Sequence, residues 1–335
     1  MNGALAIFGP AAILMAFLLS HAICRLVMRQ RFGLDPVSAR SNHQIPTPRT
    51  GGLAILIALT AAVGVLFAGG LLSQTAALLL LFSGAAGALG LADDFFHLPA
   101  LPKLALLTAL SLGAAYLFGP IAALPLPGAG WVVLPEPVGL VLTVFWLVSI
   151  VNVVNFMDGL NGLIGSFAIL LFSALSLIAS ELTLLLLVVE AAILGFLLCN
   201  IFRGRVFLGD GGSLALGFFA GAAPLAAEGG EGRAVWLLAL IGLPLIADVA
   251  LTLIRRARRG EPLTEAHREH FYQKLKAAGW SHQAVSGTLL LLGMAALVLA
   301  LGGANDANIY WLTALAILVI WGLTFGAMFR LKPQP

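Results

Sequence analysis

The stretch PVGLVLTVFWLVSIVNVVNFMDGLNG at 137–162 decides the fold. Its apolar part, 137–154, carries no charge and runs straight into a motif of amides, an acid and glycines. A barrel strand would alternate polar and apolar residues, and this run does not. About 20 apolar residues in helical form cross the hydrocarbon of a bilayer. Similar segments recur near 3–25, 51–69, 75–93, 103–120, 162–180, 183–201, 213–227, 234–254, 283–302 and 309–329. With 137–154 that makes eleven. The whole chain of 335 residues is 60% hydrophobic, with a mean hydropathy of +1.03. Soluble domains are nearer 45–50% apolar. The expected fold is therefore all-α, a polytopic transmembrane bundle of about eleven spans.

Basic residues orient it. With the N-terminus outside and the C-terminus cytoplasmic, inner loops hold seventeen of the eighteen Lys and Arg, and only Arg233 lies outside. The first span has no basic residue before it and no small-residue cleavage site, so it reads as a retained anchor. Cys24 and Cys199 give neither a disulfide framework nor metal spacing. No internal repeat and no soluble domain is visible. The chain reads as one integral-membrane domain, 1–335, with its chemistry in the loops 25–50, 93–103, 155–162, 200–213 and 255–282. The net charge of +3 is placed on the inner face, where it suits anionic lipids and phosphates. Nucleic acid is not an expected partner.

This topology puts Asp93, Asp94, Asp158, Asp210 and Asp248 on one side of the membrane. Only 10% of the chain is charged, so five acids on one face need a neutraliser. Mg²⁺ characteristically joins carboxylates to phosphates. The first cluster is LADDFFHLPALPKL at 91–104. Neighbouring helical residues point about 100° apart, so one acid can face a metal or nucleophile while the other orients a neighbour. Lys103 can reach a phosphate. The bland alternative is a solvated helix end.

The second cluster is NFMDGLNG at 155–162, preceded by Asn152. Asn155 and Asp158 share a face if the helix continues that far. With Asn161 these groups suit a nucleotide or sugar; otherwise they make an Asn–Gly turn with a capping Asp. The third is FLGDGGS at 207–213, opening a helix at Ser213. Its backbone amides are expected to cradle an anion, Asp210 can hold a metal, and Asn200 ends the span before it. Alternatively it is a flexible turn.

Asp248 lies inside an apolar span, where a charge is costly and signals function. Glu190 is a second buried acid. HREHFYQKL at 267–275 places His267 and His270 one turn apart on a short helix capped by Thr264, with Arg268 between them. That could be a diphosphate or sugar contact, or an amphipathic helix resting on the membrane. SNHQIPTPRTGG at 41–52 adds Asn42, His43 and Arg49.

In this order the motifs resemble the polyprenyl-phosphate N-acetylhexosamine-1-phosphate transferase family over nearly the whole chain. The resemblance implies a bundle of ten or eleven helices with a cytoplasmic active site. It implies transfer of a HexNAc-1-phosphate from a UDP-sugar to polyprenyl (undecaprenyl) phosphate, with release of UMP. Asp93 and Asp94 match the family's acid pair, and with Asp158 they are the expected catalytic residues. Asp210, with Asp93, is the expected Mg²⁺ site, Mn²⁺ being a substitute. Substrate contacts fall to Asn42, Arg49, Lys103, Asn152, Asn155, Asn161, Asn200, Asp248, His267, Arg268 and His270. The form HREHFYQ lacks the three consecutive histidines of the peptidoglycan enzyme. It looks more like enzymes that start O-antigen or related surface glycans, lipopolysaccharide among them, with GlcNAc or a 6-deoxy-HexNAc. Position 107 is Leu where the family often has Gln. A bacterial inner-membrane location and a homodimer complete the expectation. The rival class is a transporter using Asp248 and Glu190.

Overall fold

The computed structural model describes residues 2–30, 32–35, 47–203, 206–228, 233–263, 267–302 and 306–331. Asn42, His43 and Thr264 lie outside the described residues. The described chain is a helical bundle. Its helices are α1 (Asn2–Gln30), α2 (Gly51–Ala68), α3 (Gln74–Phe96), α4 (Ala100–Phe118), α5 (Glu136–Met157), α6 (Leu163–Ser176), α7 (Thr183–Arg203), α8 (Gly209–Glu228), α9 (Arg233–Ile241), α10 (Leu243–Arg258), α11 (Phe271–Ala277), α12 (His282–Leu301) and α13 (Ala307–Arg330). Two short antiparallel pairs accompany them: β1 (Leu34–Asp35) with β2 (Thr47–Pro48), and β3 (Ala123–Leu126) with β4 (Gly130–Val133).

Every apolar segment expected from the sequence is helical. Among the described residues, eight helices are long and apolar enough to cross a membrane, or nine if a bent pair counts as one span. The protein is thus an all-α, multi-pass membrane protein. Two expected spans fall short. α6 has 14 residues, only about 21 Å at 1.5 Å per residue. α8 opens on the polar GDGGS. The segment 234–254 is not one straight span either: α9 and α10 meet at 74°. Gly242 sits at the break, and Pro244 in the next turn has no N–H to carry the helix ladder across it.

Ser73 and Ser281 accept from Ala76 N and Ala284 N at 3.1 Å each, so short polar caps start α3 and α12. Between helices, small residues let backbones approach. A Cβ on Gly52 would lie 2.2 Å from Gly212 N, and one on Gly90 2.1 Å from the Asp210 carbonyl. α2 and α3 therefore press directly on the start of α8.

The helix ends sort into two sets. At one end Gly51 N donates to Phe207 O (2.9 Å), Gly162 N to Asn200 Oδ1 (2.6 Å) and Trp280 Nε1 to Met328 O (3.1 Å). At the other, the β3–β4 hairpin is held by Trp236 Nε1 on Ala123 O, Trp311 Nε1 on Pro125 O (both 2.9 Å), and Gly128 N on Asn308 Oδ1 (2.8 Å). The Pro- and Gly-rich 120–137 loop thus contains an ordered hairpin, with Gly128 and Gly130 both at φ 77° in its turn.

Candidate active site

The site is built on the N-terminus of α8. Gly209 opens the helix at φ +74°, and a Cβ there would lie 2.0 Å from the Arg49 carbonyl. The helix starts four residues before Ser213, the expected opening. Its first amides point at anions, as the helix dipole favours. Those anions belong to the chain itself. Asp94 accepts Asp210 N on Oδ1 and Gly211 N on Oδ2, each at 3.0 Å. Asp158 receives a backbone hydrogen bond from Gly209. The cradle expected for a substrate phosphate is occupied by carboxylates of two other motifs.

The Asp210 side chain faces outward from this start. Its Oδ1 accepts from Asn155 Nδ2 (3.1 Å) and Arg49 Nη2 (3.3 Å), and its Oδ2 is 3.8 Å from Lys103 Nζ. Asp93 shares a side-chain hydrogen bond with Asp210. Asp93 is also 2.5 Å from Lys103 Nζ and accepts Leu98 N at 2.8 Å. Asn155 continues to Ser213 Oγ at 2.9 Å. Four carboxylates, Asp93, Asp94, Asp158 and Asp210, therefore face two cations, Arg49 and Lys103. The adjacent acids differ in kind. The Asp94 side chain is 4% exposed, against 10% for Asp93 and 20% for Asp210. Burial first, and the charge of Asp210 second, push the Asp158 carboxyl well above the usual carboxylate range.

Among the described residues no three His, Cys, Asp or Glu side chains form a ready-made metal cage. Mg²⁺ does not require one, since it takes one or two carboxylates plus substrate phosphates and water. The excess of carboxylates over cations, and the hard oxygen donors of Asp210 and Asp93, fit that ion.

Other expected site residues are placed differently. Asn152 donates to Val148 O (2.7 Å) one turn back. Asn161 uses its backbone, receiving Ser286 Oγ (3.2 Å) and donating to His282 Nδ1 (3.2 Å). Asn200 is 5% exposed. Besides accepting from Gly162 N, it donates to Val206 O (2.8 Å), so it ties two loops together. α5 ends at Met157, so Asp158 is a cap rather than a helical neighbour of Asn155. The two still meet across α8.

Residues 267–270 of the histidine segment are not helical. α11 begins at Phe271, with His270 as the preceding cap residue, His270 N donating to Gln273 Oε1 at 3.2 Å. The His267 and His270 rings nonetheless lie 4.9 Å apart, each beside Phe156. Among the described residues, the buried His267 Nδ1 has no hydrogen-bond partner. Burial, then His270, lowers the pKa of His267, so its imidazole is neutral at pH 7. His270 is buried against Asp248 at 3.2 Å. Arg268 is exposed and lines a basic cup of about 290 Å³ with Gln273, Lys274 and Lys276. Arg259 and Arg256 grip Glu269 from below and hold its carboxyl at about 2.

Asp248 accepts several hydrogen bonds inside the protein, and Glu190 accepts Ser173 Oγ at 3.0 Å. Both are thus engaged within the protein, and nothing here supports the transporter reading. Tyr272 and Gly159 stood in the motifs HREHFYQKL and NFMDGLNG without a site role assigned to either residue, and they touch each other beside Asp158. A tyrosine following two histidines was the only available signal.

The sequence pattern of glycosyl transferase family 4 matches residues 76–228, which hold the acid pair, NFMDGLNG and GDGGS. The decaprenyl-phosphate N-acetylglucosaminephosphotransferase of Mycobacterium tuberculosis is 28% identical over 340 residues, covering 90% of this chain and 82% of its own. The undecaprenyl-phosphate alpha-N-acetylglucosaminyl 1-phosphate transferase of Yersinia pestis is 27% identical, over 87% of this chain and 82% of its own. A phospho-N-acetylmuramoyl-pentapeptide-transferase of Synechococcus is 35% identical, over 37% of this chain and 36% of its own. The carboxylates gathered at one end of this all-helical membrane bundle lie within the segment that matches the family, and the relatives that share it are named as sugar-phosphate transferases. The chain belongs to glycosyl transferase family 4, the polyprenyl-phosphate N-acetylhexosamine-1-phosphate transferases.

Proposed function

We propose that this enzyme transfers a HexNAc-1-phosphate from a UDP-sugar to undecaprenyl phosphate, releasing UMP and starting a lipid-linked surface glycan. The observation that carries this reading is the convergence of Asn155, Arg49, Lys103 and Asp93 on Asp210. An oxygen of the lipid phosphate attacks the β-phosphorus of the donor, and the bond to UMP breaks. A phosphate monoester has its second pKa near 6, so the nucleophile is already largely dianionic at neutral pH. Asp93 then orients it with Lys103 rather than serving as a strong base. Asp94 is committed to the α8 amides and acts on Asp210. Arg49 and Lys103 offset negative charge as the diphosphate forms. Asp210, with Asp93, would hold Mg²⁺ or its substitute Mn²⁺, which supplies Lewis-acid charge stabilisation to phosphoryl oxygens when bound. The neutral His267, its Nδ1 without a partner among the described residues, meets the donor diphosphate or sugar, and Asn155 the nucleotide side.

The preferred donors are UDP-linked GlcNAc or a 6-deoxy-HexNAc. The loop HREHFYQ and the long coverage of N-acetylglucosamine relatives support that choice over a muramoyl pentapeptide. The basic bias of one end supports the N-terminus outside, the acid end in the cytoplasm and a place in a bacterial inner membrane. In this reading 1–335 is one domain. A homodimer is its expected assembly. The deciding experiment gives purified protein undecaprenyl phosphate and a panel of UDP-sugars, then reads UMP release and the mass of the lipid product. Efficient use of UDP-MurNAc-pentapeptide would overturn the donor assignment. Absence of UMP with every donor would overturn the reaction.

A further inference from the structure

Asp248 is the buried acid that the transfer chemistry leaves unused. It sits in α10 with no exposed surface. Its Oδ1 accepts Phe271 N at 2.9 Å and its Oδ2 accepts Tyr272 N at 3.1 Å. His270 Nδ1 lies 3.2 Å from Oδ1, and Thr252 Oγ1 is 3.4 Å away. The first amides of any helix lack partners within it. α11 has only seven residues, too few to be stable alone. Asp248 therefore fixes where that helix begins.

Tyr272 extends the same unit toward the acid cluster. It is 1% exposed, and its hydroxyl donates to the Phe156 carbonyl at 3.0 Å. That carbonyl belongs to the last turn of α5, whose C=O groups have no helical partner. Burial, and next the charge of Asp248, raise the phenol pKa, so the group remains an O–H donor at neutral pH. Gly159 is shaped to this contact: a Cβ there would lie 2.2 Å from the Tyr272 hydroxyl. Asp158 lies between the two contact points, and on its other side it receives the Gly209 bond.

We propose that Asp248 and Tyr272 are positioning residues that hold Asp158 against the start of α8 and lock it to the histidine loop. The proposal rests on the transferase reading. Each end of the unit has a defined task. Asp248 sets α11 and His270, and Tyr272 carries that placement to the Phe156–Gly159 turn. Donor contacts on the histidine loop and the acid cluster on α8 are then held in register by one phenol.

The test is a double-mutant cycle on the full chain, with whichever donor the wild type turns over. Tyr272→Phe removes one hydroxyl and keeps the ring. It should lower kcat by roughly fivefold to tenfold, the worth of about one hydrogen bond, and leave KM for the donor and the unfolding temperature nearly unchanged. Gly159→Ala should be more damaging. Combining it with Tyr272→Phe should restore part of the lost kcat, since the worst contact disappears. Amide exchange in the peptide 155–162 should quicken in Tyr272→Phe alone. Unchanged kcat and exchange in Tyr272→Phe, or strictly additive effects in the cycle, would reduce the contact to packing and overturn the proposal. A wild type that releases no UMP would instead remove the transferase reading, while the exchange measurement still judges the latch.

Discussion

The two ends of the bundle solve opposite problems. At the hairpin end, indole N–H groups of Trp236 and Trp311 cover carbonyls of β3, and Arg233 sits 5.8 Å from the Trp131 ring centroid. At the acid end, Asp93, Asp94, Asp158 and Asp210 crowd one helix start, and two cations leave negative charge over. Stability alone would not collect carboxylates so closely, because like charges repel. The contrast shows which end was shaped by chemistry. It also shows that carboxylates in one cluster need not share one job.

The sharpest way to break this comparison is labelling. A cysteine at Ala129, in the hairpin, should react fully with a membrane-impermeant reagent in intact cells, and one at Phe96, exposed at the acid end, should not. Equal labelling would sink the assigned orientation. The next largest effect belongs to Asp210→Asn, which removes charge and keeps shape. UMP release should fall on the order of a hundredfold to a thousandfold, with the unfolding temperature retained. A chelator should do the same to the wild type, reversibly by Mg²⁺ or Mn²⁺.

The acid pair separates function from support. Asp94→Asn places an amide against two N–H donors and should cost about 1–3 kcal/mol of stability, read as a lower unfolding temperature. Asp93→Asn should lose turnover with little loss of stability. Identical profiles for both would remove the distinction. His267→Ala should lower turnover roughly tenfold or more while UMP affinity, read by calorimetry, barely moves. Smallest of all, Arg233→Ala at the hairpin end should change kcat less than about twofold and cost about 0.5–1 kcal/mol.

Much of this was legible in the chain. Apolar runs must be helices in hydrocarbon, because backbone groups there can be satisfied only internally. All eleven segments accordingly became helices, and the motifs DD, NFMDGLNG and GDGGS were visible as polar breaks. The bend at Gly242 was not, since an apolar run looks the same straight or broken. Nor was the start of α11 at Phe271, which depends on Asp248, a residue 23 positions earlier.

The sequence by itself determined the class of environment, where the apolar helices lie along the chain, and which residue types were available for phosphate chemistry. Those follow from hydrophobicity and side-chain identity, which are local. Only the tertiary structure decided how the acids divide their work. Asp94 is spent on the amides of Asp210 and Gly211, Asn200 on two loops and Asp248 on α11, while Asp93 and Asp210 stay partly exposed beside Lys103. A carboxylate's role is set by which donors lie within about 3 Å of it, and those donors come from distant parts of the chain.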